Sequence, residues 1–518
     1  MALWTSLRGV LRRGDAAPIK RGAATGTRAY DAAGSSRRLS NWNPTTAGAN
    51  AVLFGNASEL LRRSRDQARK NPYAEAAVER YAANIVGTGI TPQSQHPDED
   101  VRRAIHRLWN EWANEADSAG VTDFYGLQKL VVRAMQEGGE GFIRRRSRRP
   151  EDGLAVPLQL QVLEPEHLPY WHDEDLANGR KIRAGIEFDR TAGRAAYWFL
   201  AEHPGERPLF SNALDRTRIA AADAAHVFKP LRPGQIRGEP GMARALLRLY
   251  ELDQLEDATL VRSKVAAMIA GFVTGAGGVA PFDDINSDGS PKKPDDDGVG
   301  VIGFESGTLY HLGVADDVKF PEVPKADGLE PVARVVLRAV AVATGLTYEQ
   351  LTGDLSQSNF AGFRSGLVEV RRCMEHVQHS VVVHQACRPV WRWWFPAAVL
   401  SGVLPIRPEA FLRNPAEWMR VKWVAPGWGW TDPEKELRAV VLAIRAGIWS
   451  RDEAIRMYGL DPEEVDREVA ASNRRADGLG LVYDSDPRKV GKPSTPAGAN
   501  ASEGHDAGAA DPKRKIED

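Results

Sequence analysis

Residues 239–272 read EPGMARALLRLYELDQLEDATLVRSKVAAMIAGF, and residues 329–344 read LEPVARVVLRAVAVAT. The first stretch predicts a long helix beginning at Glu239-Pro240. Met242, Leu246, Leu249, Leu252 and Leu255 step by three or four, and after a break Val261, Val265, Met268 and Phe272 resume the stripe. If continuous to Gly271 it spans ~48 Å at ~1.5 Å per residue. The opposite face carries Arg244, Arg248, Glu251, Glu256 and Arg262. A helix of that length needs neighbours throughout, which a bundle or a ring supplies. The second stretch predicts a return helix. Between them residues 275–327 are rich in Gly, Pro and Asp, with short apolar runs at 299–304 and 309–312. They predict a small β excursion. After the return helix, residues 348–362 (YEQLTGDLSQSNFAG) are polar and turn-rich, and a second long helix is expected from about Phe363 to Arg388.

Upstream, residues 58–141 have helical periodicity. Asn71-Pro72 is an N-cap followed by proline at the first helical position, and Gly87 ends that segment. Ile105, Leu108, Trp109 and Trp112 stripe one helix; Leu127, Leu130, Val131, Ala134 and Met135 stripe another. From Phe142 to Phe228 the period changes to two: Leu158, Leu160 and Val162 alternate with glutamines, and residues 196–200 and 226–228 are short β-like runs. The class is therefore α+β. Downstream, eight of the fourteen tryptophans fall between Trp391 and Trp449, a packed aromatic region. A run of short helices closes the folded part. Asp432-Pro433 starts one, with Leu437, Val440, Val441 and Ile444 as its buried face; Ser450 and Glu453 have capping-box spacing for the next, and Asp461-Pro462 starts a third.

The 518 residues suffice for two or three domain-sized units. Lys plus Arg total 68 against 69 Asp plus Glu, a formal charge of -1, which argues against a binder that relies on a globally basic surface. Two cysteines, Cys373 and Cys387, make no disulfide framework. The charge-free run 265–282 falls short of a membrane span. The expected setting is soluble and intracellular, or an assembled particle. Residues 1–58 hold eight Lys or Arg and two acids, Asp15 and Asp31. Their start imitates a transit peptide, but the reading is a flexible basic arm. Residues 484–518 read as a disordered tail, and its PKRK at 512–515 is a chance-level import signal.

Motifs for bond chemistry are weak. Asp284, Asn286, Asp288 and Gly289 match half a calcium loop, but Pro291, Lys292, Lys293 and Asp295 break the pattern, which favours a solvated turn. Cys373, His376, His379, His384 and Cys387 share a predicted helix; His376 and His384 lie ~12 Å apart along it, too far for one tetrahedral ion. No nucleotide-binding, nucleophile-elbow or zinc-peptidase motif occurs. The expectation is no catalysis, no cofactor and no metal. Arg144, Arg145, Arg146, Arg148 and Arg149 form the strongest local charge cluster, suited equally to phosphates or to a neighbour's carboxylates.

Several stretches, in order, resemble the lambda-type family of tailed-phage portal proteins. They are residues 30–33 (YDAA) with Asn41-Trp42, 60–71 (LLRRSRDQARKN), 84–90 (NIVGTGI), 226–244 (HVFKPLRPGQIRGEPGMAR) and 346–366 (LTYEQLTGDLSQSNFAGFRSG). The resemblance runs from about residue 28 to 483. It implies a homo-oligomeric ring, usually of twelve copies, at one capsid vertex, through which double-stranded DNA is packaged and ejected. By analogy residues 59–238 are the wing, 239–272 and 326–345 the stem helices, and 273–325 the clip. Residues 346–362 are then the tunnel loop, 363–430 the long helix and Trp-rich wing region, and 431–483 the helical crown. The implied partners are terminase, head-completion or tail adaptor proteins, and scaffold or major capsid protein, with no membrane. The implied location is the virion, and the host cytoplasm during assembly. Gln357, Ser358 and Asn359 are candidates for a polar DNA-facing constriction, with Arg364 and Arg371 beyond it; Lys292 and Lys293 are candidates for DNA or partner contact in the clip. Another virion adaptor, and a metal-dependent hydrolase, are the alternatives.

Overall fold

The computed structural model describes residues 41, 43–206, 215–268, 272–275, 316–319, 328–356, 359–429, 432–481 and 483. The fold is α+β. Helix α1 (Ala49–Lys70) begins inside the stretch assigned to the basic arm, because apolar Leu53 and Ala57 already face the core. Asn71 ends α1 and caps α2 (Pro72–Val86), its side-chain oxygen accepting from the N–H groups of Tyr73 and Ala74. Strand β1 (Thr91–Ser94), α3 (Glu99–Ala113) and α4 (Phe124–Gly138) follow. The α3 stripe is buried as expected. In α4, Val132 takes an inward place expected of Leu130, which is exposed.

Strands β2 (Glu140–Ser147), β3 (Leu158–Leu163) and β9 (Ala224–Phe228) form an antiparallel sheet in the order β3-β2-β9. Between β3 and β9 the chain builds a five-stranded antiparallel meander: β4 (Glu174–Asp175), β5 (Lys181–Arg183), β6 (Ile186–Phe188), β7 (Arg194–Leu200) and β8 (Arg216–Ala220).

Helix α5 (Leu246–Met268) starts later than its apolar stripe predicts. The chain instead turns tightly, with the Ala243 N–H on the Pro240 carbonyl and the Ala245 N–H on that of Met242. Beyond it β10 (Phe272–Gly275) pairs antiparallel with β11 (Asp316–Lys319), the described part of the expected excursion. The return helix α6 (Leu329–Thr344) has the expected bounds. A short α7 (Tyr348–Thr352) then occupies part of the segment read as loop.

The second long helix departs most from expectation. Helix α8 (Phe360–Val377) runs into a π-helical stretch (Gln378–Cys387) and on through α9 (Arg388–Leu400), so Pro389 does not end it. A π turn bonds each N–H to the fifth carbonyl back, and the Arg388 N–H reaches Val383. The wider coil leaves room for the Pro389 ring where the two helix types change over. Helices α10 (Pro408–Arg413) and α11 (Pro415–Trp418) lead to β12 (Val421–Val424), which pairs with β1.

The main core is aromatic. Trp109 lies 4.9–6.1 Å, centroid to centroid, from Trp112, Phe124, Trp391, Trp394 and Trp423, so the Trp-rich region packs directly on α3. Such pairs prefer the tilted and edge-on arrangements seen here. Two of the core's indole N–H groups reach backbone carbonyls, Trp112 to Leu158 at 2.8 Å and Trp391 to Met419 at 3.0 Å, whereas the buried Trp394 and Trp423 N–H groups have no partner among the described residues.

Helices α12 (Pro433–Arg445), α13 (Arg451–Met457) and α14 (Pro462–Gly478) complete the described chain, capped by Asp432, Ser450 and Asp461 as expected. The expected buried face of α12 is not buried: none of its residues is, and Leu437 and Val441 are exposed. Polar contacts hold this unit to the body instead, among them Arg102 to Glu463 at 2.6 Å and Lys422 to Glu453 at 2.6 Å. Among the described residues no helix is long and apolar enough to cross a membrane.

Candidate channel segment and subunit-contact faces

The α5–α6 hairpin is rooted where α4 meets β2. Gly139 has φ +93°, and a Cβ there would stand 2.7 Å from the Glu239 backbone. Only glycine lets the strand start and the stem entry cross so closely. Directly after it, the fully buried Glu140 carboxylate gathers four donors. Its Oε1 accepts from Arg237 Nε at 2.6 Å and the Tyr170 hydroxyl at 3.3 Å; its Oε2 accepts from His226 Nε2 at 2.7 Å and the Gly238 N–H at 2.8 Å. Arg237, also fully buried, donates its remaining N–H groups to the carbonyls of Ala184, Pro165 and Leu168 and stacks 3.9 Å from the Tyr170 ring. Arg194 Nη1 lies 2.7 Å from His226 Nδ1. A guanidinium can only donate, so Nδ1 is bare and the ring is the neutral Nε2–H tautomer. Burial pushes the Glu140 carboxyl up, but the charge of Arg237 and the hydrogen bonds from Arg237 and His226 outweigh it and hold the group at about 2. Burial pushes His226 down, and Arg194 and Arg237 add to it against the pull of Glu140, to about 4.

This hub ties the sheet to the entry of α5, and the sequence reading missed it. His226 and Arg237 lie inside a stretch that carries the family resemblance, but Glu140 stands 86 and 97 residues away from them. No local pattern marks the three as one group.

From the root, Met242, Leu246, Leu249 and Leu252 bury themselves in the main core. Past Leu252 the stripe opens to solvent at the residues whose side chains are described. Leu255, Leu260 and Val261 are exposed, Leu260 to 56%. Helix α6 packs on α5 and buries Leu337, Val340 and Ala341, while Val332, Val335 and Val342 face outward. Each of the two helices therefore presents apolar side chains that the described residues leave exposed.

Helix α7 opens with a capping box of Thr347 and Gln350, and Arg80 of α2 donates to the Gln350 carbonyl. The Tyr348 hydroxyl bonds the Asp354 carboxylate at 3.2 Å. Of the three candidate constriction residues, Gln357 and Ser358 lie outside the described residues. Asn359 caps α8, its Oδ1 accepting from the Gly362 N–H at 2.6 Å. Arg364 lies 3.6 Å from Glu436 of α12, and Arg371 donates to the Gly429 carbonyl at 2.9 Å beneath the Trp428 ring. Arg364 thus braces the long helix against α12, and Arg371 braces it against the segment that precedes α12. Lys292 and Lys293, and the calcium-like loop, lie outside the described residues.

The structure places Arg144, Arg145 and Arg146 on β2. Arg145 faces Asp223 at 3.3 Å, and Arg148 Nε donates to the Gln159 side chain at 2.8 Å. Arg144, Arg146 and Arg149 make no ion pair among the described residues. The Cys/His set does not converge: Cys373 is exposed, whereas Cys387 is buried against Gln128. One group, Glu164, Glu166 and His203, brings three potential ligand atoms together, but Arg65 already braces both carboxylates at 2.9 and 2.7 Å.

Residues 35–378 match the family profile described as phage portal protein, lambda family. The chain is 27% identical over 470 residues, 88% of each chain, to the probable portal protein of Halomonas phage phiHAP-1. It is 23% identical over 478 residues to portal protein B of Escherichia phage lambda, covering 85% of this chain and 89% of that one. Among solved structures, a chain from the neck of a native GTA particle computed with C12 symmetry aligns over 79% of this chain and 94% of its own. That alignment has a TM-score of 0.43 at 16% identity.

Proposed function

This chain belongs to the lambda family of phage portal proteins, and we propose that its copies close into a ring of twelve around a channel for double-stranded DNA. Its role is that of a portal, the head–tail connector of a virion. The proposed ring works by geometry and partner binding rather than by bond chemistry. The stem hairpin of α5 and α6 lines the channel, and the segment from Leu346 to Gly362 narrows it. The β10–β11 end meets terminase and later the adaptor proteins, and the ring assembles in the host cytoplasm with scaffold or capsid protein.

The observation that supports this reading best is the uncovered apolar surface of the stem hairpin. A side chain such as Leu260 gains little by facing water, and isolated patches of this kind mark contact with another chain. Neighbouring stems in a ring cover one another. Near-neutral composition suits a conduit, because every phosphate neutralised steepens binding and would hold DNA still. Native mass spectrometry of the purified chain tests the ring: twelve copies of 56.8 kDa give a particle of about 680 kDa. A species that stays at one or two copies across salt and concentration would contradict it.

A further inference from the structure

Two surface patches of opposite sign each sit in self-repulsion within one chain. On β2, Arg144 and Arg146 stand two residues apart and so share a face of the sheet, opposite Gln161 and Gln159 of β3. Both are half-buried. Burial and the charge of Arg146 pull the Arg144 guanidinium down. On the same face the Gln161 side-chain oxygen is buried without a hydrogen-bond partner. Exposed Arg148 and Arg149 extend the patch.

The second patch is on α5. Asp253, Glu256 and Asp257 follow at i, i+3 and i+4 and share one helix face, where like charges repel. Asp253 accepts a hydrogen bond from Asn71 at 2.6 Å, but no base pairs with any of the three among the described residues. Burial and the charges of Asp253 and Asp257 push the Glu256 carboxyl up.

Both patches diverge from the Glu140–Arg237 root. Arg146 lies six residues along a strand from Glu140, ~20 Å; Glu256 lies ten residues into α5, ~15 Å. They leave on different elements, and no ion pair joins them within the chain. In a ring, one face of each copy meets a different face of the next. We propose that the Arg144/Arg146 face of one copy docks on the Asp253/Glu256/Asp257 face of its neighbour, an interface that rests on the ring reading above. Arginines also suit phosphates. A DNA-binding face, however, leaves the unpaired carboxylates on α5 without a counterpart, whereas a neighbouring copy satisfies both patches at once.

The test uses the full chain and two charge reversals, R144E/R146E and E256R/D257R. Each folds with an unchanged melting profile but forms closed rings at least about tenfold less than the parent chain. Mixed in equal amounts, the two restore rings, because copies with two acidic faces alternate with copies with two basic faces. R144Q/R146Q, which removes charge without adding acid, guards against misfolding of the reversal and gives partial closure. Rings formed by R144E/R146E alone at the parental level would overturn the proposal. So would intact rings that lose retention of duplex DNA, which would assign the arginines to phosphate. A parent chain that never forms rings is a separate failure, seen without any variant: it sinks the ring reading, and this interface with it.

Discussion

Glu140 holds a full negative charge at the centre of the molecule because four donors are pre-placed around it, and Arg237 tolerates burial for the matching reason. Removing one partner leaves the other charge unpaired in a dry site. Glu140→Gln is therefore expected to cost about 3–5 kcal/mol in denaturant unfolding, and Arg237→Met about the same. The double variant should recover part of that loss, because no orphan charge remains. The pH dependence has a definite sign. His226 titrates at about 4 in the folded protein against about 6.5 unfolded, so in that interval the unfolded chain binds a proton that the folded one refuses. Glu140 titrates at about 2 against about 4.3 unfolded, and the same inequality holds lower down. Stability is full above pH 6.5 and falls as the pH drops through both windows, by about 3 kcal/mol for each group. Unfolding midpoints measured from pH 7 to pH 3 check this. His226→Gln should flatten the upper part of the curve and leave the lower part.

At the scale of elements, α6 separates what its own chain needs from what it offers outward. Val340 is fully buried and Val342 is 80% exposed, two residues apart on one helix. Val340→Asp places a carboxylate in the core and should unfold the hairpin. Val342→Asp should change the stability of the isolated chain by no more than about 0.5 kcal/mol yet block assembly; a melting curve and a sizing column, run side by side, separate the two effects. Elements whose signals are local were legible in the sequence. The bounds of α6 and the caps at Asn71, Asp432, Ser450 and Asp461 depend on residues within one turn of each other. Features set by tertiary contact were not. The start of α5 is decided by the glycine crossing at its root. The passage of the long helix over Pro389 is decided by a π stretch that no propensity announces. The periodicity of α12 correctly marks an apolar face, but periodicity does not say whose chain covers it. The candidate site divides in the same way: polar character near Asn359 was readable, whereas its capping bond, the pairing of Arg364 with Glu436 and the bond of Arg371 to the Gly429 carbonyl were not.

Across the whole molecule, one well-packed body carries three surfaces that it does not complete itself. The tryptophan core and the buried ionic hub are complete within the chain. The stem hairpin leaves Leu260 and Val342 open, and the terminal helices attach largely through ion pairs while Leu442 and Ile448 stay 68% and 72% exposed. The charged faces on β2 and α5 are each unbalanced. A rigid body with unfinished edges is what a repeating assembly requires, since each edge is completed by the next copy. The account therefore stands on closure around an opening. The most direct measurement is single-particle imaging of the purified chain, by class averages of stained particles. The predicted result is closed, rotationally symmetric rings with a central hole at least as wide as duplex DNA. Compact particles of one or two copies with no opening, at every salt and concentration tried, would contradict it.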